Sequence, residues 1–321
     1  MLAPGAPVRT LGRYLRERYG RRLRRVLLDL GGTCPNRDGR DGYGGCIYCD
    51  LKGSGTGAAA RESLQQQFER ELRRVRRNQP EGPAAIAYLQ SYSNTYPDLL
   101  PLARALDWLA TRAAEAPILA VGTRPDCFSA EAAELLAFHA PAFSEIWVEF
   151  GLETADDRVQ KLIGRHDRLE NFHRATALAR SRGLGVVAHM IHGLPGDAPD
   201  TLLRQVREAR QAGVQGVKFH HLLVLRRTKL AAWWRQGRFL PGRPEDYVRA
   251  AADALEELPA STVVHRLAAA APEAELLAPR DWPSPKQLHA AIEKELRRRG
   301  TTQGARLERE AARRTGAGPD W

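Results

Sequence analysis

Cysteine is scarce in this chain, with four in 321 residues, which excludes a disulfide-dense scaffold. No run of roughly 18 or more apolar residues occurs, so nothing reads as a membrane-spanning helix. The opening stretch MLAPGAPVRTLGRYLRERYG offers no apolar core followed by a small-residue cleavage site, and the expectation is a cytoplasmic protein with reduced thiols. Acidic residues are also outnumbered, 38 Asp and Glu against 49 Lys and Arg, leaving a net charge of +11. A field of that sign attracts a polyanion, nucleic acid above all, although a solvated arginine-rich surface gives the same count. The arginines gather towards both ends, from Arg9 to Arg25 and from Arg297 to Arg314.

What is present reads as an α/β protein. Hydrophobic residues make up 43% of the chain, enough for a large core. Short aliphatic runs at 26–30, 84–90, 118–122, 145–151, 186–193 and 216–222 have the character of buried parallel strands. Helical periodicity fills the gaps: Leu64, Phe68, Leu72 and Val75 share one face, and Leu102, Leu106 and Leu109 another. Ser129 has the position of an N-cap, and Pro199 and Gly213 bracket a further helix. These βα units predict a partial (βα)6 TIM-like barrel, whose working residues would sit at strand C-termini. The expected organisation is a basic segment at 1–25, the barrel at 26–236, a small α+β extension at 237–300 and a mobile polar tail at 301–321. In the extension, Ser284, Pro285 and Gln287 form a capping-box signature, and TVVHRL reads as a strand.

Three of the four cysteines lie in GGTCPNRDGRDGYGGCIYCD, at Cys34, Cys46 and Cys49. Structural zinc wants four protein ligands, so it would have to recruit a histidine or the distant Cys127. An iron-sulfur cube held by three thiolates leaves its fourth iron open to a small molecule. Ligand count and softness favour the cube, and zinc remains the alternative. Glycines at 39, 42, 44 and 45 allow the loop to bring Cys34 towards the pair.

With CPNRDG and GGCIYC stand YLQSYSNTY, VGTRPDC, WVEFGLET, AHMIHGLPGD and GVKFHHLLVL. Together these stretches resemble the radical S-adenosylmethionine (SAM) superfamily, and within it the YhcC/YtqA-like family, relatives of the catalytic subunit of elongator. The resemblance spans residues of about 10 to 290. It implies a radical SAM barrel, one [4Fe-4S] cluster on Cys34, Cys46 and Cys49, and reductive cleavage of SAM to a 5'-deoxyadenosyl radical. It implies an adenine neighbour in Tyr48, methionyl contacts in Gln90 and Tyr92, and a glycine contact in Gly193. Arg124, Asp126 and Glu149 are further candidates for SAM or substrate. Tyr48 is equally suited to packing, Gly193 to an ordinary turn, and Arg124 and Asp126 to a mutual ion pair. Lys218 and His220, charged or polar at the end of an inner strand, are candidate catalytic groups. Cys127 is either a hydrogen donor to a product radical or a small buried hydrophobe. No second three-cysteine set accompanies the first, which argues against methylthiotransferase chemistry.

The implied substrate is RNA, specifically a tRNA wobble uridine or its C5 substituent, with arginine-rich termini on the phosphates and a flavodoxin- or ferredoxin-type electron donor. A peptide or small metabolite as substrate, and a non-catalytic RNA-binding protein with structural zinc, are the competing readings. The segments IGRHD, HHLLVL and MIHG depart from the family pattern, all on the expected substrate side.

Overall fold

The computed structural model describes residues 6–50, 52–53, 57–77 and 81–314. Its strands are β1 (Arg24–Leu28), β2 (Ala85–Leu89), β3 (Ile118–Thr123), β4 (Glu145–Glu153), β5 (Gly185–His192), β6 (Gly216–His221), β7 (Val224–Leu225), β8 (Val263–Arg266) and β9 (Leu276–Ala278). Seven of them form one sheet in the order β1-β2-β3-β4-β5-β6-β8, with every neighbouring pair parallel. This is the half-barrel of an incomplete TIM fold. The strands β7 and β9 pair separately and antiparallel.

The expected six strands are all present; the seventh is β8, from TVVHRL in the supposed extension. It pairs with β6 through Gly216 and Val263, so the sheet continues past residue 236. A four-residue strand after a buried helix, Pro244–Glu256, gives no periodicity signal that would assign it to the barrel.

Alternation sorts each strand into two faces. Outward residues such as Val26, Leu89, Val121, Val148, Ala188 and Phe219 join the helices in the main core. Inward residues at the strand beginnings, Ile86, Ile118, Trp147 and Val187, pack on Leu11 and Leu15 of the helix Leu11–Tyr19. That helix closes the N-terminal mouth: Tyr14 and Tyr19 both donate to Glu145 Oε1, at 2.6 and 2.8 Å. Part of the basic N-terminal segment is thus a barrel plug. With that mouth plugged, the cavity at the C-terminal ends of the strands is where a ligand is received.

The helices start where their caps predict. Ser129 accepts from Ala132 N, and Ser284 and Gln287 complete a capping box. The helix before Gly213 runs Thr201–Ala212, two residues inside the expected start at Pro199. Residues 305–314, expected as mobile tail, form a helix instead. Arg306 ties it to Glu256 at 2.6 Å and to Asp253 at 3.0 Å, long-range pairs that local composition does not reveal. The expectation for 315–321 falls outside the described residues. Among the described residues no helix is long and apolar enough to cross a membrane.

Candidate active site

The inner face is apolar near the plug and polar towards the strand C-termini. There it opens into a cavity of about 430 Å³, within the range of small-molecule sites. Cys34, Cys46 and Cys49 all line it, and so do Tyr48, Gln90 and Tyr92. Arg124, Glu149, Lys218 and His220 complete the set of expected residues that the fold brings to this wall.

The cysteines reach it through local geometry. Cys34 caps a one-turn helix, Pro35–Asp38, and Gly39 reverses the chain at φ 100°. Gly45, at φ 82°, turns it again before Cys46, and a Cβ there would stand 3.1 Å from Arg37 Nε. Burial pushes the Cys49 thiol up to about 12, the Cys46 sulfur adds to this, and Arg37 opposes it. Burial also raises Cys34, against the charge of Arg124. A bound metal would deprotonate all three.

The floor is a buried polar group drawn from four strands. Glu149 Oε2 on β4 accepts from the Lys218 ammonium on β6 and meets His189 Nε2 on β5 at 2.8 Å. Tyr88 on β2 places its ring 4.4 Å from Lys218 Nζ and its hydroxyl at 3.3 Å. Burial pushes Lys218 down to about 7 and His189 down to about 4. Burial would raise Glu149, but the Lys218 charge and the His189 contact outweigh it and hold the carboxyl well below its ordinary value. His220 is driven down by burial, with Arg266 adding to the effect. The floor therefore combines a buried Glu149–Lys218 ion pair with imidazoles whose burial favours the neutral form.

Three expected residues do not line the cavity. Asp126 is engaged by Arg124 in a bidentate pair at 2.8 and 2.7 Å. Burial raises this carboxyl, yet the Arg124 hydrogen bond outweighs it and the net shift is downward. Cys127 lies behind the wall, 8% exposed, and burial pushes its thiol up to about 12. Gly193 donates its N–H to Asp197 Oδ2 at 3.2 Å in the turn after β5.

Other residues enter that sequence reasoning did not single out. Arg165, within IGRHD, sits between Glu153 at 3.9 Å and Asp167 at 3.7 Å. Its carbonyl accepts from Arg124 Nη1 at 2.9 Å and from Asn36 Nδ2 at 2.7 Å, bolting the loop after β4 to the cysteine loop. Arg37, Lys52, Arg226 and Arg227 stand on the cavity wall, as do Ala269 to Pro272 beyond β8. Tyr92, Glu153 and Arg227 also hold left-handed backbone, with φ of 58°, 61° and 61°. Such conformations in bulky residues cluster at functional sites. The only advance signal was the presence of charged residues in loops after strands.

Among the described residues no three His, Cys, Asp or Glu side chains are gathered closely enough for a single metal ion. A tetrahedral ion would draw thiolates to within roughly 4 Å of one another. A cube with each thiolate on its own iron has no such requirement, and the three sulfurs share a cavity with room for a nucleoside-sized ligand. The residues present fit a three-thiolate cluster with SAM beside it.

Comparison with known proteins agrees. The family model described as the radical SAM superfamily matches residues 31–209, and the radical SAM C-terminal domain matches 214–298. Protein YhcC of Escherichia coli strain K12 is 34% identical over 272 residues, 85% of this chain and 86% of that one. A tRNA uridine(34) acetyltransferase of Dehalococcoides mccartyi is 35% identical over 127 residues, 38% of this chain and 27% of that one. Among solved structures, archaeal Elp3 of Methanocaldococcus infernus lacking residues 1–46 superposes with a TM-score of 0.68 at 18% identity, over 88% of this chain and 64% of that one. The last likeness is one of fold.

Proposed function

Because the chain belongs to the radical SAM superfamily, and is an enzyme whose cofactors are a [4Fe-4S] cluster and SAM, we propose that it modifies tRNA at the wobble uridine or its C5 substituent. The observation that carries the reading is the convergence of Cys34, Cys46 and Cys49 on one cavity that Glu149, Lys218 and His220 also line.

In this reading the three thiolates hold the cluster. Tyr48, Gln90, Tyr92 and Arg124, which line the same cavity, would hold SAM. Together the two cofactors supply a radical able to take hydrogen from an unactivated C–H bond. The chain's own residues orient and exclude water. Tyr48, on the cavity lining, would present its aromatic ring to the adenine. Lys218 and His220, both on the cavity lining, hold or move protons on the substrate side.

Support for RNA comes from charge and kinship. The net charge is +11, and among the described residues the cavity-lining Lys52, Arg226 and Arg227 form no ion pair. The termini are a weaker phosphate site than their composition suggests, since Arg299 and Arg306 are held by Asp253 and Glu256. The partial match to a tRNA uridine(34) acetyltransferase supports a uridine as the target. A nucleotide would have to leave its stack to enter the cavity. A flavodoxin- or ferredoxin-type protein in the cytoplasm would deliver the electron.

The test is anaerobic reconstitution with iron and sulfide, followed by measurement of 5'-deoxyadenosine with and without tRNA. Stimulation by tRNA, lost with Cys34→Ala, Cys46→Ala or Cys49→Ala, is expected. Stimulation by a metabolite or peptide and not by tRNA overturns the substrate. Comparing modified nucleosides in tRNA from cells with and without the gene identifies the product.

A further inference from the structure

Between the first cysteine and the pair, the one-turn helix Pro35–Asp38 places two consecutive side chains on two different thiols. Asn36 Nδ2 donates to Cys46 Sγ at 3.2 Å, and Arg37 Nη2 donates to Cys49 Sγ at 3.2 Å. The dipeptide thus supplies a side-chain donor to each sulfur of the C-x-x-C pair.

Both side chains are locked. Asn36 is 1% exposed, and its nitrogen also donates to the Arg165 carbonyl at 2.7 Å, which fixes the amide orientation because an oxygen there would face another oxygen. Arg37 crosses Gly45, where a Cβ would meet its guanidinium at 3.1 to 3.3 Å. Its guanidinium carbon stands 5.3 Å from the centre of the Tyr92 ring, and it donates to the Asp50 carbonyl. Tyr92 in turn has left-handed backbone, φ 58°, and packs where Gly53 leaves room. A permanent positive charge is therefore built into the wall beside Cys49.

We propose that Asn36 and Arg37 are positioning residues that set the reduction potential of the cluster. This rests on the assignment of Cys34, Cys46 and Cys49 as its ligands. Adding one electron from a low-potential donor adds negative charge to the cluster and its sulfurs. N–H donors and a fixed cation stabilise the reduced form more than the oxidised one. Removing them makes the cluster harder to reduce.

The test uses the reconstituted full-length protein, its iron and sulfide content measured, without SAM, in a dithionite titration followed by electron paramagnetic resonance. Arg37→Gln keeps an N–H donor and removes the charge. Its reduced-to-oxidised ratio at a fixed ambient potential is expected to fall at least tenfold, a midpoint about 59 mV more negative for a one-electron couple. A midpoint coincident with wild type overturns the inference. Should Arg37→Gln fail to retain a cluster, Asn36→Ala, which removes the Cys46 donor without changing charge, carries the same direction of shift, and an unchanged midpoint there overturns it equally. Wild-type protein that takes up no cluster sinks the cysteine assignment itself, a distinguishable result.

Discussion

Lys218 and Glu149 meet inside the barrel with side chains only 2% and 0% exposed, their ammonium and carboxylate in direct contact. Neither partner is expendable alone, because each leaves a buried charge behind. Lys218→Met is expected to cost roughly 3–5 kcal/mol. The double variant Lys218→Met with Glu149→Leu should cost less than Lys218→Met alone, since both charges leave together. Urea unfolding of the three proteins decides it, and a double variant less stable than the single would refute the account.

Asp197 gives a pH signature. Its Oδ2 accepts from Gly193 N and Leu194 N at 3.2 and 2.9 Å, while Oδ1 is buried without a partner among the described residues. Burial is the largest influence and pushes the carboxyl from 3.8 to about 7, against the two backbone N–H bonds. A raised folded value means the folded state holds the proton more tightly. This contribution is therefore complete below the unfolded value and lost as pH rises through about 7. Asp197→Asn should flatten that part of the profile, so its stability relative to wild type rises between roughly pH 4 and 7.5. Parallel urea-midpoint profiles would contradict the sign.

Arg227 sets stability against binding. Its backbone is left-handed, φ 61°, a conformation glycine adopts without cost. Arg227→Gly should stabilise the fold by about 1 kcal/mol. The same change removes a cation from the cavity wall, and should lower the slope of log affinity for tRNA against log salt by about 1. A variant that is more stable yet binds tRNA with the wild-type slope would remove Arg227 from the RNA interface.

The legible part of this molecule was what neighbouring residues decide among themselves. Aliphatic runs marked six strands, and the eleven intervening residues between Cys34 and Cys46 marked a loop able to curl back. Polar residues towards strand ends, Gln90, Glu149 and Lys218, were legible as one inner surface because alternation turns all three to the inner face, where they line the cavity. What escaped was decided by distant partners. The Arg165 carbonyl matters only because Arg124 and Asn36 arrive at it from other loops. The strand β8 matters only because β6 is left with an open edge. Gly193 had the right loop but faces Asp197, which a glycine motif does not disclose.

Cys127 separates two roles that a sequence treats alike. It shares TRPDC with Arg124, which lines the cavity, yet its own side chain turns towards Asp126, with Sγ 3.6 Å from Oδ1. Thr95 Oγ1 donates to its carbonyl at 2.7 Å, which holds the backbone of this turn. A thiol that donates hydrogen to a product radical must touch the substrate, whereas a buried thiol behind the wall only fills space. Cys127→Ala is therefore expected to cost about 1 kcal/mol of stability while keeping cluster content, SAM cleavage and product yield at wild-type levels. Cys46→Ala in the same preparation should lose all three. Normal cleavage with lost product in Cys127→Ala would be the decisive contrary result, because it would require the thiol to reach the substrate through a rearrangement of the turn at Pro125–Cys127.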